Sequence, residues 1–257
     1  MTCFLTSSTV LPGTDKLAQL NGLADGLRAA LPQTCHGLYI CSDPDDFKNT
    51  DFYARLTKES FEGAGFTFTA FDILDGRTVK HGEEYIRAAD LIVLTGGHVP
   101  TQNRFFQNIG LGQLLQGYKG VVVGISAGSM NSAEEVYAHP ELEGEAIDPA
   151  YERFLPGLGL TRVMIIPHYQ MIQGGTLDGL RLFEDIAYPD SMGRQFYVLP
   201  DGSYLYGKDG AEELRGKAYR IQDGVMEQVC EDGQVFRLSK NNPTHSTGQE
   251  RSLRKWK

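Results

Sequence analysis

No stretch of the sequence approaches the ~18 consecutive apolar residues that a membrane-spanning helix requires, so no membrane span is expected. Basic residues are outnumbered, 24 Lys and Arg against 33 Asp and Glu, and the formal charge of −9 argues against a nucleic-acid-binding surface. A local Arg cluster could still attract an anionic small molecule. Cysteine is sparse: Cys3, Cys35, Cys41 and Cys230 lack the close paired spacing of a zinc site. They read as buried or half-buried thiols in a reducing cytoplasm, and no metal is expected. The opening MTCFLTSSTVLPGTDK has no basic region followed by a long apolar run, so it does not read as a secretory signal. The P-loop lysine and the spacing of a dinucleotide fingerprint are also missing. No cofactor is expected, and the chain reads as a cytoplasmic monomer or homodimer.

What is present is the pattern of a layered α/β protein. A length of 257 residues with 41% hydrophobic content allows one large core without disulfides or metal. Strands are expected at Cys3–Ser7, Gly37–Cys41, Thr67–Phe71, Leu91–Thr95 and Gly120–Gly124. Amphipathic helices are expected between them, at Asp15–Ala30, Phe52–Gly63, Gly82–Ala89 and Asn103–Gln116. This alternation implies a three-layer fold: a mostly parallel central sheet with right-handed crossovers and helices on both faces. Ile92–Leu94 and Val121–Val123 are continuously apolar, as central strands buried on both sides should be. Later, Arg162–Ile166 reads as a strand and Leu177–Ala187 as a helix. From Gln195 onward β-like runs are separated by Asp-Gly at Asp201, Asp209, Asp223 and Asp232, each a hairpin signal. An antiparallel C-terminal extension within a single domain of residues 1–240 is expected, followed by a polar and basic tail at 241–257.

The chemistry-bearing motif is Gly124-Ile125-Ser126-Ala127-Gly128, a G-x-S-x-G string. The string alone is weak evidence. Its setting strengthens it, because an apolar strand runs into it and helix formers follow, as at a strained strand–turn–helix elbow that exposes a serine. Glycines on either side remove Cβ atoms that would clash there. A helix starting at Ala127 would aim N–H groups at developing negative charge. A serine nucleophile needs a base. Of six histidines, His168 is the best placed, just past the strand Arg162–Ile166 and so on the sheet edge that carries the elbow. For the orienting acid, the segment HPELEGEAIDP offers Glu141, Glu143, Glu145 and Asp148. Gly96-Gly97 ends another strand on that edge, where the N–H groups of Gly97 and Ala127 could cradle an oxyanion.

The set LTGGH, GISAGSMN, IIPHY and LPDGSYLYG resembles the dipeptidase E (peptidase E, α-aspartyl dipeptidase) and cyanophycinase family of serine peptidases. That resemblance implies a class I glutamine-amidotransferase-like, flavodoxin-like fold. It places the nucleophile on Ser126, the base on His168 and the oxyanion hole on Gly97 with Ala127. The family's acid falls on Glu141 when counted without gaps from Ser126 and on Glu143 when counted back from Asp148, and Glu143 is preferred. Where the family has a third glycine and Asn, this chain has His98, expected at the mouth of the site. Glutamine amidotransferases of this fold carry Cys at the elbow and a His-x-Glu pair. Here Ser126 and His168-Tyr169-Gln170 occupy those positions, which disfavours that activity.

The function expected is therefore hydrolysis of short peptides by a serine peptidase, with α-aspartyl dipeptides (Asp-X) implied by the resemblance. Arg104, Arg153 and Arg162 are candidate partners for a substrate carboxylate, and Arg104 and His98 are expected to bind substrate. An esterase or acyl hydrolase, or a non-catalytic binding protein of the same fold, is the alternative.

Overall fold

Successive side chains of a strand point to opposite faces, and this explains the apolar triplets. Leu91, Val93, Val121 and Val123 enter one core with Phe4, Leu23, Leu27 and Phe61. Ile92, Leu94 and Val122 enter a second core with Leu38, Ile40, Phe105 and Phe106. A computed structural model describes residues 1–11 and 13–239; the tail at 241–257 lies outside the described residues. The five expected N-terminal strands are β1 (Thr2–Thr6), β2 (Thr34–Ile40), β3 (Thr67–Leu74), β4 (Leu91–Leu94) and β5 (Val121–Ile125). They pair in parallel in the order β1-β5-β4-β2-β3. The helices are α1 (Leu23–Ala30), α2 (Phe47–Gly63), α3 (Gly82–Ala88), α4 (Val99–Asn108), α5 (Leu111–Leu114) and α6 (Ala127–Asn131). Buried residues of α1 fill the first core, and those of α3, α4 and α5 the second, so helices cover both faces.

Three helices differ from expectation for backbone reasons. The segment expected as Asp15–Ala30 becomes helical only from Leu20, in a short 3₁₀ turn, because Asn21 and Gly22 hold φ of 54° and 75°. The run Asn103–Gln116 is divided between α4 and α5 at Gly110, whose φ is 64°. Conversely, α2 starts five residues before Phe52, because the Asp46 carboxylate accepts the Asn49 N–H at 3.2 Å and caps it.

Beyond the elbow, β6 (Glu135–Tyr137) pairs with β7 (Phe154–Pro156), and β8 (Met164–Ile166) leads into α7 (Tyr169–Ile172). The expected helix Leu177–Ala187 is half wrong. Residues β9 (Thr176–Leu177) and β10 (Leu180–Arg181) form a small hairpin, turned by Asp178 and Gly179 at positive φ, and only Leu182–Ala187 is helical, as a π-helical turn.

The remaining strands are β11 (Gln195–Val198), β12 (Tyr204–Lys208), β13 (Ala211–Arg215), β14 (Ala218–Gln222), β15 (Val225–Cys230) and β16 (Val235–Arg237). They do not form one extension. β12, β13 and β16 continue the main sheet antiparallel beyond β1, giving eight strands. β11, β14 and β15 build a second sheet with β8. Asp209-Gly210 and Asp223-Gly224 therefore turn true hairpins. Asp201-Gly202 and Asp232-Gly233 carry the chain from one sheet to the other.

Candidate active site

The site lies where the carboxyl ends of β1, β4, β5 and β8 converge. The elbow is built by close approach. A Cβ on Gly124 would sit 2.8 Å from Ser129 Oγ, and one on Gly128 would meet the Leu94 carbonyl. Neither glycine needs an unusual φ; the strain falls on Ser126 itself, at φ 49° and ψ −113°. Such a conformation costs on the order of 1–3 kcal/mol and persists only when its surroundings enforce it. Here the Ser126 N–H donates to the Thr6 carbonyl at 3.1 Å, and the Ser126 carbonyl accepts from Ser129 and Met130. The helix α6 is only five residues long, so its local N–H groups matter more than any summed dipole.

His168 follows β8 with φ 58°. Its Nδ1 is 2.7 Å from Asp201 Oδ1. Asp201 follows β11, which runs parallel to β8 with Val198 opposite Ile166. The two strand ends thus deliver the imidazole and the carboxylate side by side. Ser7, immediately after β1, completes the cluster: its Oγ accepts the His168 backbone N–H at 2.8 Å and donates to Asp201 Oδ1 at 2.7 Å. The Asp201 side chain is only 7% exposed. Burial alone would raise its pKa, but the bonds from His168 and Ser7, with the His168 charge and Gln170, outweigh it and hold the carboxyl below its ordinary value.

This arrangement corrects the expected acid. Glu143 is exposed and has no contact with His168. Glu141 lines the same cavity as Ser126 and His168 but is not the ring's partner. Glu145 is taken by His98, and Asp148 caps its own turn at Ala150. In the sequence, Asp201-Gly202 between β-like runs reads as a turn and not as a site. The available signal was its place just past the apolar run at 195–198, which pairs in parallel with the strand before His168.

A cavity of about 300 Å³ opens onto Ser126 and His168. Met130, Ile166, Ile172, Leu177 and Leu182 form an apolar wall, with His139, Thr176 and Glu141 as its further polar groups. No hydrogen bond links Ser126 Oγ to His168 Nε2 here; such bonds commonly tighten only when substrate is bound. His139 is buried, and desolvation lowers its pKa, leaving a neutral ring beside the Leu182 carbonyl. On the other side, Gly96, Gly97 and Ile125 border a second cavity of about 420 Å³ lined also by Ser42, Asp43, Asp46 and Tyr53. Gly97 is at φ 152°, and a Cβ there would collide with the Ser42 side chain. Because Leu94 pairs with Gly124, Gly97 and Ala127 follow adjacent strand ends.

The other expected substrate contacts are not brought to either cavity. His98 bonds Thr101 through Nδ1 at 2.8 Å and Glu145 through Nε2 at 2.7 Å. Arg104 is exposed, Arg153 pairs with Asp190 at 2.9 Å, and Arg162 pairs with Glu134 at 3.4 Å. Among the described residues, no group of three or more His, Cys, Asp or Glu is placed to hold a metal, and no helix is long and apolar enough to cross a membrane.

Comparison with known proteins bears on this geometry. The family model described as peptidase family S51 matches residues 5–214, which include Ser7, Ser126, His168 and Asp201. No curated protein matches the chain. Among solved structures, a provisionally assigned peptidase E from Listeria monocytogenes EGD-e is similar in fold. Its TM-score is 0.54 at 14% identity, over 89% of this chain and 98% of that one.

Proposed function

The chain belongs to peptidase family S51 and is a serine-type peptidase, and from that premise we propose that it hydrolyses short peptides through an acyl-enzyme on Ser126. The observation that carries this reading is the His168–Asp201 pair at 2.7 Å opening onto the cavity that holds the strained serine. His168 Nε2 takes the proton of Ser126 Oγ as that oxygen attacks the scissile carbonyl carbon. Asp201 on Nδ1 fixes the tautomer and stabilises the imidazolium, and Ser7 holds Asp201 and the His168 backbone in register. The N–H groups of Gly97 and Ala127 receive the oxyanion. Collapse of the tetrahedral intermediate breaks the C–N bond, and the amine leaves with the proton from His168. Water then gives a proton to His168 as its oxygen attacks the acyl carbon; the bond from that carbon to Ser126 Oγ breaks, His168 returns the proton to Oγ, and the acid leaves.

Asp-X dipeptides are the substrates the family resemblance implies. Among the described residues, neither Lys nor Arg lines the cavity, so an aspartyl side chain would be held there by neutral donors or by His168. The apolar wall would equally hold an acyl chain, which keeps an ester substrate as the second reading. A cytoplasmic location is part of the same proposal, and four free, buried cysteines support it. Purified protein is incubated with Asp-X, control dipeptides and an ester panel. Cleavage of peptides by wild type and none by Ser126→Ala is expected; undiminished cleavage by Ser126→Ala would overturn the assignment, and cleavage of esters alone would favour the second reading.

A further inference from the structure

Among the described residues, Glu141 is the carboxylate that lines the apolar cavity beside the nucleophile, and nothing in the reaction just described uses it. Among the described residues, its side chain has neither a salt-bridge partner nor a hydrogen bond to a donor side chain. The loop that carries it is nonetheless held from two sides. Glu145 accepts the backbone N–H groups of Glu141 and Leu142, both at 2.9 Å, while its other oxygen binds His98, one residue beyond Gly97. Asp178, in the β9–β10 turn, accepts the N–H groups of Gly144 and Ala146 at 2.8 and 3.0 Å. Glu145 and Asp178 are thus spent on positioning a segment whose Glu141 carboxylate borders the cavity unpaired.

An unpaired carboxylate in a partly desolvated cleft is costly unless a cation arrives. Its pKa reflects that cost: although the residue is exposed overall, desolvation first and the nearby Glu145 second push the carboxyl up to about 7. A bound cation would restore the charged form. The geometry points to Glu141 as a specificity-determining residue that holds a cationic group of the peptide substrate, either its α-ammonium or a Lys or Arg side chain. The apolar wall takes the hydrocarbon beside that cation, as amphipathic side chains prefer. This inference rests on Ser126 being the nucleophile of the cavity. It also makes Asp-X recognition depend on the free amino end, since that is the one cation every such dipeptide carries.

The test compares matched peptides in wild type, Glu141→Gln and Glu141→Lys. One arm pairs free with Nα-acetylated peptides, and the other pairs Lys with norleucine at each position. Wild type is expected to favour the cationic member of at least one pair about tenfold or more in kcat/KM, chiefly through KM. Glu141→Gln brings that ratio close to one, and Glu141→Lys inverts it. Loss confined to the acetylation arm identifies the α-ammonium; loss confined to the Lys arm identifies a side chain. A wild-type ratio near one, or an unchanged ratio in both variants, overturns the proposal. A fluorophosphonate probe separates the two ideas. Labelling of Ser126 without cationic preference sinks only the role of Glu141, whereas absence of labelling with no peptide cleaved sinks the nucleophile.

Discussion

Two histidine–carboxylate pairs of the same 2.7 Å length flank Ser126, and they do opposite things. His168 spends Nδ1 on Asp201 and turns its remaining nitrogen to the cavity. His98 spends both nitrogens, on Thr101 and Glu145, and lines neither cavity. A ring with both nitrogens engaged cannot accept a proton from a serine; it fastens one loop to another. The number of commitments, and not the presence of a carboxylate partner, separates a base from a clamp.

Substitution separates the pairs most sharply at the rings. His168→Ala is expected to lower kcat by about 10⁴-fold or more. His98→Ala should lower it by no more than about tenfold while reducing thermal stability, as a lost partly buried hydrogen-bonded pair does. Equal losses in steady-state kinetics would erase the distinction. At the acids, Asp201→Asn should cost about 10²- to 10⁴-fold in kcat with KM little changed, through the wrong tautomer. Glu145→Gln should cost stability of about 1–3 kcal/mol in denaturant unfolding, because Glu145 frees His98 and two N–H groups when it is weakened.

Gly97 joins the two regions, and Gly97→Ala should lower kcat/KM by about 10- to 100-fold through the Ser42 collision and the required φ. Adding Ser42→Gly should recover part of that loss; no recovery would mean that the backbone angle alone is responsible.

Neighbouring carboxylates also titrate in opposite senses. Glu145 and Asp201 are held below their ordinary values, so the stability they contribute is present above their unfolded pKa and lost as pH falls through the folded one. Glu141, raised to about 7, works the other way: its contribution is full below its unfolded pKa and is lost as pH rises through about 7. Glu141→Gln should therefore raise the Tm at pH 8 and leave it nearly unchanged at pH 4. A uniform rise at both values would contradict the titration. The smallest effect belongs to Glu143→Gln, expected within about 0.5 kcal/mol and twofold in activity, as for an exposed side chain without partners.

The legible and illegible parts of the chain differ in what constrains them. The parallel strands could be read because residues such as Ile92 and Val122 are buried on one face and Val93 and Val123 on the other, leaving unbroken apolar runs. Ser126, Gly97 and His168 share one sheet edge for the same reason, since each sits one to three residues beyond such a strand. Helix limits were less visible, because Gly110 and the Asn21-Gly22 pair interrupt amphipathic patterns that continue past them. The division of the C-terminal strands between two sheets has no local signature: β13 and β14 are separated only by Gly216 and Lys217, yet pair with different partners. Asp201 was hidden for that reason. That a turn residue meets the His168 ring shows only once β11 is known to lie beside β8.

The bond from Ser7 to Asp201 spans 194 positions of sequence. During synthesis, Ser7, Ser126 and His168 all emerge before the acid, and β1 lacks its antiparallel neighbour β12 until residues 204–208 follow. A growing chain stopped before Asp201 therefore carries Ser126 and His168 with neither the carboxylate that meets the ring nor the strand that pairs with β1. The cluster closes only once β11 and β12 are in place, so a chain truncated before Asp201 is expected to hold the composition of the site without its geometry.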